Sequence, residues 1–172
     1  MKKWFPLVLV LAFIGCDSDD LGGGAAQLDL VTGIWNPTIV PEEGFVLGNP
    51  NVRNLGVFTI KPNPADNEIQ LSSDQNISKV YLVLGKPLRK YKEVDFATLL
   101  NADLYTEAEI RDKAVSESPS IEVQPITISF EDLAPGYYRV FVQIEGQFYW
   151  DNAYVSKEAG FDIQTLVDFW SE

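Results

Sequence analysis

The chain has no histidine and a single cysteine. Without histidine it lacks the commonest general base, the usual partner of a serine nucleophile and the commonest zinc ligand. A lone cysteine has no partner for an intrachain disulfide and cannot build a thiolate metal cluster. Basic residues are also scarce, 13 against 25 acidic ones, which gives a net charge of −12. Such a surface repels phosphate backbones, so nucleic acid is not expected as a partner, nor is an anionic lipid surface approached by charge alone. Carboxylates, lysines, tyrosines and hydroxyls are the remaining catalytic repertoire.

What is present points to export and a real core. Aromatic residues make up 12% of the chain, which argues against disorder, and the length suits one domain. Met1-Lys2-Lys3 is a basic start, and the apolar run Phe5 to Gly15 is too short to span a bilayer. Cys16 follows it directly and precedes Asp17-Ser18-Asp19-Asp20. This arrangement resembles a bacterial lipoprotein signal. The resemblance implies cleavage after residue 15, acylation of the Cys16 thiol by a chain such as palmitate, and anchoring in the outer membrane. Each buried methylene contributes about 0.8 kcal/mol, so two or three chains hold a protein essentially permanently where one does not. Acylation also consumes a thiol that would otherwise stay reactive in an exported chain. Ser18, Asp19 and Asp20 resemble the acidic export signal that carries lipoproteins to the outer face of the outer membrane in one large group of Gram-negative bacteria, so cell-surface exposure is expected. An ordinary secretory signal with an incidental cysteine is the alternative. Loss of Lys2 and Lys3 with residues 1–15 makes the mature chain two charges more acidic still.

Residues 16–27 carry acids, Gly22-Gly23-Gly24 and two alanines, the composition of a solvated tether. Fully extended, Asp17 to Gln27 reaches at most ~40 Å at ~3.5 Å per residue. From Leu28 to Val57 glycines and prolines break every long window, leaving short strands and loops. Val57 to Ile60 reads as a strand, and Lys61-Pro62-Asn63-Pro64 as an extended turn that cannot pair. Glu68 to Ser72 sets Ile69 and Leu71 on one face. After the turn Asp74-Gln75-Asn76, the stretch Lys79 to Leu84 sets Val80, Leu82 and Leu84 against Tyr81 and Val83, with Gly85 as its end. Between about 93 and 114 the period turns helical. Asp95 can cap one short helix with Phe96, Leu99 and Leu100 together, and Thr106-Glu107-Ala108-Glu109 fits a capping box opening another. Ser116 to Ser120 reads as a polar loop closing this insertion.

Ile126 to Phe130 is again a strand, and Leu133-Ala134-Pro135-Gly136 a tight corner into Tyr137 to Ile144. There Tyr138, Val140, Val142 and Ile144 share one face, and Tyr137, Arg139, Phe141 and Gln143 the other. Glu145-Gly146 is a hairpin signal and Gln147 to Ser156 the return strand. Asp162 can cap a last helix, about 162–171, whose Ile163, Leu166, Val167 and Trp170 form an apolar stripe expected to dock on the same chain near Phe96 and Leu100.

Phe58 to Leu71 with its Pro62-Asn63-Pro64, Ile77 to Gly85, Leu133 to Val142, and Gly146 to Ser156 together are similar to the C-terminal sorting domain of type IX secretion cargo. The resemblance covers roughly residues 57–90 and 126–157 and implies a seven-stranded immunoglobulin-like sandwich. The tail beyond Lys157 and the helical insertion lie outside it. The expected fold over residues 28–172 is therefore mainly β, an immunoglobulin-like β-sandwich with a short helical insertion and a C-terminal helix.

Three acidic pairs stand out, Glu42-Glu43, Glu107 with Glu109, and Glu131-Asp132. A retaining glycosidase needs two carboxyls ~5 Å apart across a cleft, and surface solvation or turn capping accounts for these pairs more simply. No Asp-x-Asp-x-Asp-Gly calcium loop occurs. No catalytic residue, metal ligand or cofactor is assigned. Tyr137, Phe141, Tyr149 and Trp150 are the candidate binding aromatics, able to stack on a sugar or anchor a protein partner if the opposite sheet face forms the core. The expectation is a non-enzymatic envelope lipoprotein that binds a protein partner. The alternatives are a carbohydrate-binding accessory of glycan uptake and, further back, a carboxylate-dependent glycoside hydrolase.

Overall fold

The computed structural model describes residues 26–36, 45–49, 51, 54, 56–88, 105–118 and 125–171. Cys16, Ser18, Asp19, Asp20, Glu42-Glu43 and the helix proposed near Asp95 lie outside them.

Two sheets face each other in a β-sandwich. The smaller one consists of β4 (Thr59–Lys61), β5 (Glu68–Ser72) and β8 (Ile126–Ser129), in that order and antiparallel. The larger is built on β6 (Ile77–Pro87), flanked on one side by β9 (Gly136–Ile144) and then β10 (Gln147–Val155). On its other side β6 pairs antiparallel with β7 (Ala114–Ser118), and further along it pairs parallel with β1 (Leu28–Leu30). A separate ribbon joins β2 (Ile34–Asn36) to β3 (Phe45–Leu47). Helix α1 (Glu107–Lys113) leads into β7, and α2 (Gln164–Ser171) ends the described chain.

Alternation drives this arrangement. In β5 the apolar Ile69 and Leu71 are fully buried while Glu68, Gln70 and Ser72 face out. They meet Val80, Leu82, Val140 and Val142 of the larger sheet in a first core between the sheets. The larger sheet is apolar on its other face as well. Tyr81, Val83, Phe141 and Trp150 there form a second core with Leu30, Ile34, Ile110, Leu166 and Trp170, contributed by β1, β2 and both helices. A sheet buried on both faces needs covering elements on both sides.

Three local expectations change. The strand does not stop at Gly85 but runs to Pro87, because β1 lies alongside and the Leu30 side chain occupies the space a Cβ at Gly85 would need, 2.3 Å from Leu30 Cδ1. Ser116 to Ser118 belongs to β7, since Val80, Tyr81 and Leu82 offer it a ladder. The β4–β5 turn does more than turn. Ala65 N–H donates to Tyr154 O and Ser156 N–H to Ala65 O, both at 2.8 Å, so this turn covers the end of edge strand β10.

Candidate functional site

Register decides the fate of the four candidate aromatics. Trp150 stands opposite Phe141 and Tyr154 opposite Tyr137, all on the face of the second core. Tyr137, Phe141 and Trp150 are 8%, 0% and 2% exposed. They are packing residues and form no solvent-facing platform, which corrects the expectation of an open face. Tyr149 stands opposite Val142, on the other side of the sheet, half-buried against the first core, and its hydroxyl donates to Gln147 Oε1. The fold therefore separates Tyr149 from the other three. α2 helps close the face. The Trp170 indole N–H donates to the Tyr137 hydroxyl at 3.0 Å, and burial pushes that hydroxyl up to about 12 against the opposing effect of this bond.

Between the aromatic residues runs a buried polar seam. Arg139 is fully buried, with its guanidinium 3.9 Å over the Trp150 ring and Nε donating to Asn152 Oδ1 at 3.3 Å. The Asn152 amide donates to Thr32 O, Thr32 Oγ1 and Gly33 O, and so fastens the segment after β1 to β10. Asn63 links Trp35 O and Asn152 O in the same way. On the opposite face of β10, across from Val140, Asp151, 5% exposed, accepts from Asn54 Nδ2 and from the Asn152 N–H, both at 2.8 Å. Burial pushes its carboxyl above the ordinary carboxylate range. The amide donors of Asn54, Asn152 and Asn51 and the charge of Arg139 oppose that rise. Alternation sets Arg139 on one face with Tyr137, Phe141 and Gln143, the face expected to be open. The signal for the seam is Asn152, a polar residue between Trp150 and Tyr154 on one face of the strand.

The acidic pairs have other partners. Thr106 and Glu109 form the expected capping box, and the Thr106 bonds hold the Glu109 carboxyl below its usual range. Glu107 accepts from Lys79, from the Tyr81 hydroxyl at 2.9 Å and from Arg111 at 2.8 Å, which holds its carboxyl low, the Lys79 bond foremost. Glu131 and Asp132 sit in the turn before the Gly136 corner. Among the described residues no three His, Cys, Asp or Glu side chains gather to hold a metal ion, and no helix is long and apolar enough to cross a membrane.

Among the described residues, a cleft opens at each end of the sandwich. One, of about 170 Å³, is lined by Pro64, Asp66, Ser156, Phe161 and Ile163. The other, between the β5–β6 and β9–β10 turns, is lined by Asp74, Gln75, Asn76, Ser78, Glu145 and Gly146, with no aromatic side chain among them. Sequence reasoning singled out neither cleft as a site, since each joins segments far apart in the chain. Comparison with protein-family models, curated proteins and solved structures finds no match for this chain.

Proposed function

We propose that this chain is a lipid-anchored protein of the outer membrane, displayed on the cell surface, whose sandwich serves as a non-catalytic binding or assembly module for another envelope protein. The observation that carries the reading is the run of basic start, short apolar stretch and Cys16, followed by the acids Asp17, Asp19 and Asp20. The first strand, at Leu28, lies close behind it and pairs directly into the larger sheet. A pull on the tether is thereby transmitted to β6, the strand with the most neighbours, rather than to a loose end. Ser18, Asp19 and Asp20 support surface display.

We read the sandwich as immunoglobulin-like. The order β4-β5-β8 against β7-β6-β9-β10 supports this, as does the Tyr138 hydroxyl, which donates back to Ala134 O and ties the corner into β9 in the manner of a tyrosine corner. Sandwiches of this type display loops at both ends, and such loops recognise partners. Kinship with type IX sorting domains is part of the same reading and rests on Phe58 to Leu71, Ile77 to Gly85, Leu133 to Val142 and Gly146 to Ser156.

Metabolic labelling with a fatty acid, followed by membrane fractionation, tests the anchor. Wild-type chain should take up label and sediment with outer membranes. Cys16→Ser should take up none and appear in the soluble fraction with an unchanged unfolding midpoint, because residues 16–27 have the composition of a solvated tether. Wild-type protein without label would sink the anchoring argument.

A further inference from the structure

The cleft between the β4–β5 turn and the start of the C-terminal tail has no role in the anchored-module reading. Its chemistry is two-sided. Pro64, Phe161 and Ile163 form an apolar lip, and Asp66 and Ser156 supply a carboxylate and a hydroxyl. The geometry points to this cleft as a binding subsite for a single neutral pyranose ring of a glycan.

A sugar ring presents C–H groups on its faces and vicinal hydroxyls at its rim. Binding it takes an apolar surface, best an aromatic one, beside an acceptor that can receive two hydroxyl donors. Phe161 is the aromatic surface. It is half-buried, and Tyr154 fixes its ring at 5.3 Å between centroids with a 37° tilt. Tyr154 is itself held edge-on to Tyr137 at 4.8 Å. Asp66 is exposed, and its two carboxylate oxygens are the acceptors. Ser156, 6% exposed, donates its hydroxyl to Asp66 Oδ1 and Ala65 O at 3.3 Å. The polar side is held in place in advance, because the bridge between Ala65 and Val155 locks the backbone before Asp66 to the backbone before Ser156.

Size and charge narrow the ligand. About 170 Å³ lies below the ~300–1,000 Å³ of pockets for drug-sized molecules, so the cleft takes one ring and not an extended chain. No basic side chain lines it, which disfavours an anionic sugar. The groove at the other end is lined by acceptors and donors and has no aromatic side chain on which a ring could stack.

Saturation-transfer NMR on the full chain in mild detergent tests the site, with methyl glycosides of glucose, galactose and mannose and with N-acetylglucosamine as probes. At least one should receive saturation through its ring protons, with amide shifts confined to residues 64–66, 156 and 161–163. Phe161→Ala and Asp66→Asn should each weaken binding about tenfold or more. Phe161→Leu, which keeps bulk against Tyr154, should weaken it too with the fold intact by circular dichroism. Tyr149→Ala, on the opposite face, should bind like wild type. The proposal is overturned if no probe receives saturation, if the Phe161 variants bind unchanged, or if lysine methyl ester shifts these amides while no sugar does, which would make the cleft a cation site. Acylation of Cys16 does not enter this measurement, so the outcome is independent of the anchoring test.

Discussion

Gly136 opens β9 with a φ of 142°, and a Cβ there would meet no atom within 4 Å. Replacement by valine therefore acts chiefly through backbone strain, and Gly136→Val should lower stability by about 1–3 kcal/mol, read from the denaturant midpoint. An unchanged midpoint would mean that the corner carries no constraint. This position was legible in the chain, because Leu-Ala-Pro-Gly before a long alternating strand is a local signal. Asp151 was not legible, since its burial depends on strands and loops remote in sequence. Its carboxyl is raised in the fold, so the stability it contributes is fully present below the ordinary carboxylate pKa, about 3.9, and is lost as the pH rises through the folded value. Asp151→Ala should consequently cost more stability at acid pH than at neutral pH, because the variant lacks that fall. Denaturant melts across the pH range would check it. A cost that grows toward neutral pH would show that the amide donors outweigh burial.

Elements show how far periodicity reaches. The stripe Ile163, Leu166, Val167 and Trp170 announces a helix that must bury one side, and Asp162 Oδ1 accepts from Gln164 N at 2.9 Å at its start. In the structure Leu166 and Trp170 are each 4% exposed, docked in the second core. The site near Phe96 and Leu100 foreseen for it lies outside the described residues, whereas the partners that are described are Tyr137 of the larger sheet and the β2–β3 ribbon, where the Trp170 ring lies against Gly48 after β3. Each large side chain fully buried is worth about 1.5–3 kcal/mol, so truncation after Lys157 should lower the unfolding midpoint markedly and raise binding of an apolar reporter dye. Equal stability after truncation would mean that the docked helix adds nothing to the core. The capping box at Thr106 was equally readable, because its partners lie within one turn. Strand β7 was missed for the opposite reason. Its Ser116, Glu117 and Ser118 have no apolar alternation and become a strand only because β6 presents an unpaired edge.

At the scale of the whole molecule, one sheet carries two cores, and the asparagine seam fastens the N-terminal segment to β10. Asn152 supplies donors to Thr32 and Gly33 and an acceptor to Arg139, all buried. Asn152→Ala would leave those groups unmatched, each costing about 1–3 kcal/mol. Hydrogen exchange should show the amides of β1 and β2 losing protection before those of β5 and β8. Uniform loss across both sheets would indicate that the seam does not separate two cooperative regions.

By itself, the sequence determined the mainly β character, the positions of the long hairpin and of both described helices, and the alternation that fills the first core. These depend on residues two to four apart, and such spacing is visible in one dimension. Tertiary structure alone decided that the second face of the larger sheet is covered. Tyr137, Phe141 and Trp150 thus became core, while Phe161 was left at the mouth of a cleft. Alternation shows which residues share a face, but not what lies over it. That depends on where β1, the β2–β3 ribbon and the helices pack, and the contacts that place them join Leu30 to Gly85, Thr32 to Asn152 and Trp170 to Tyr137 across separations that no local pattern encodes.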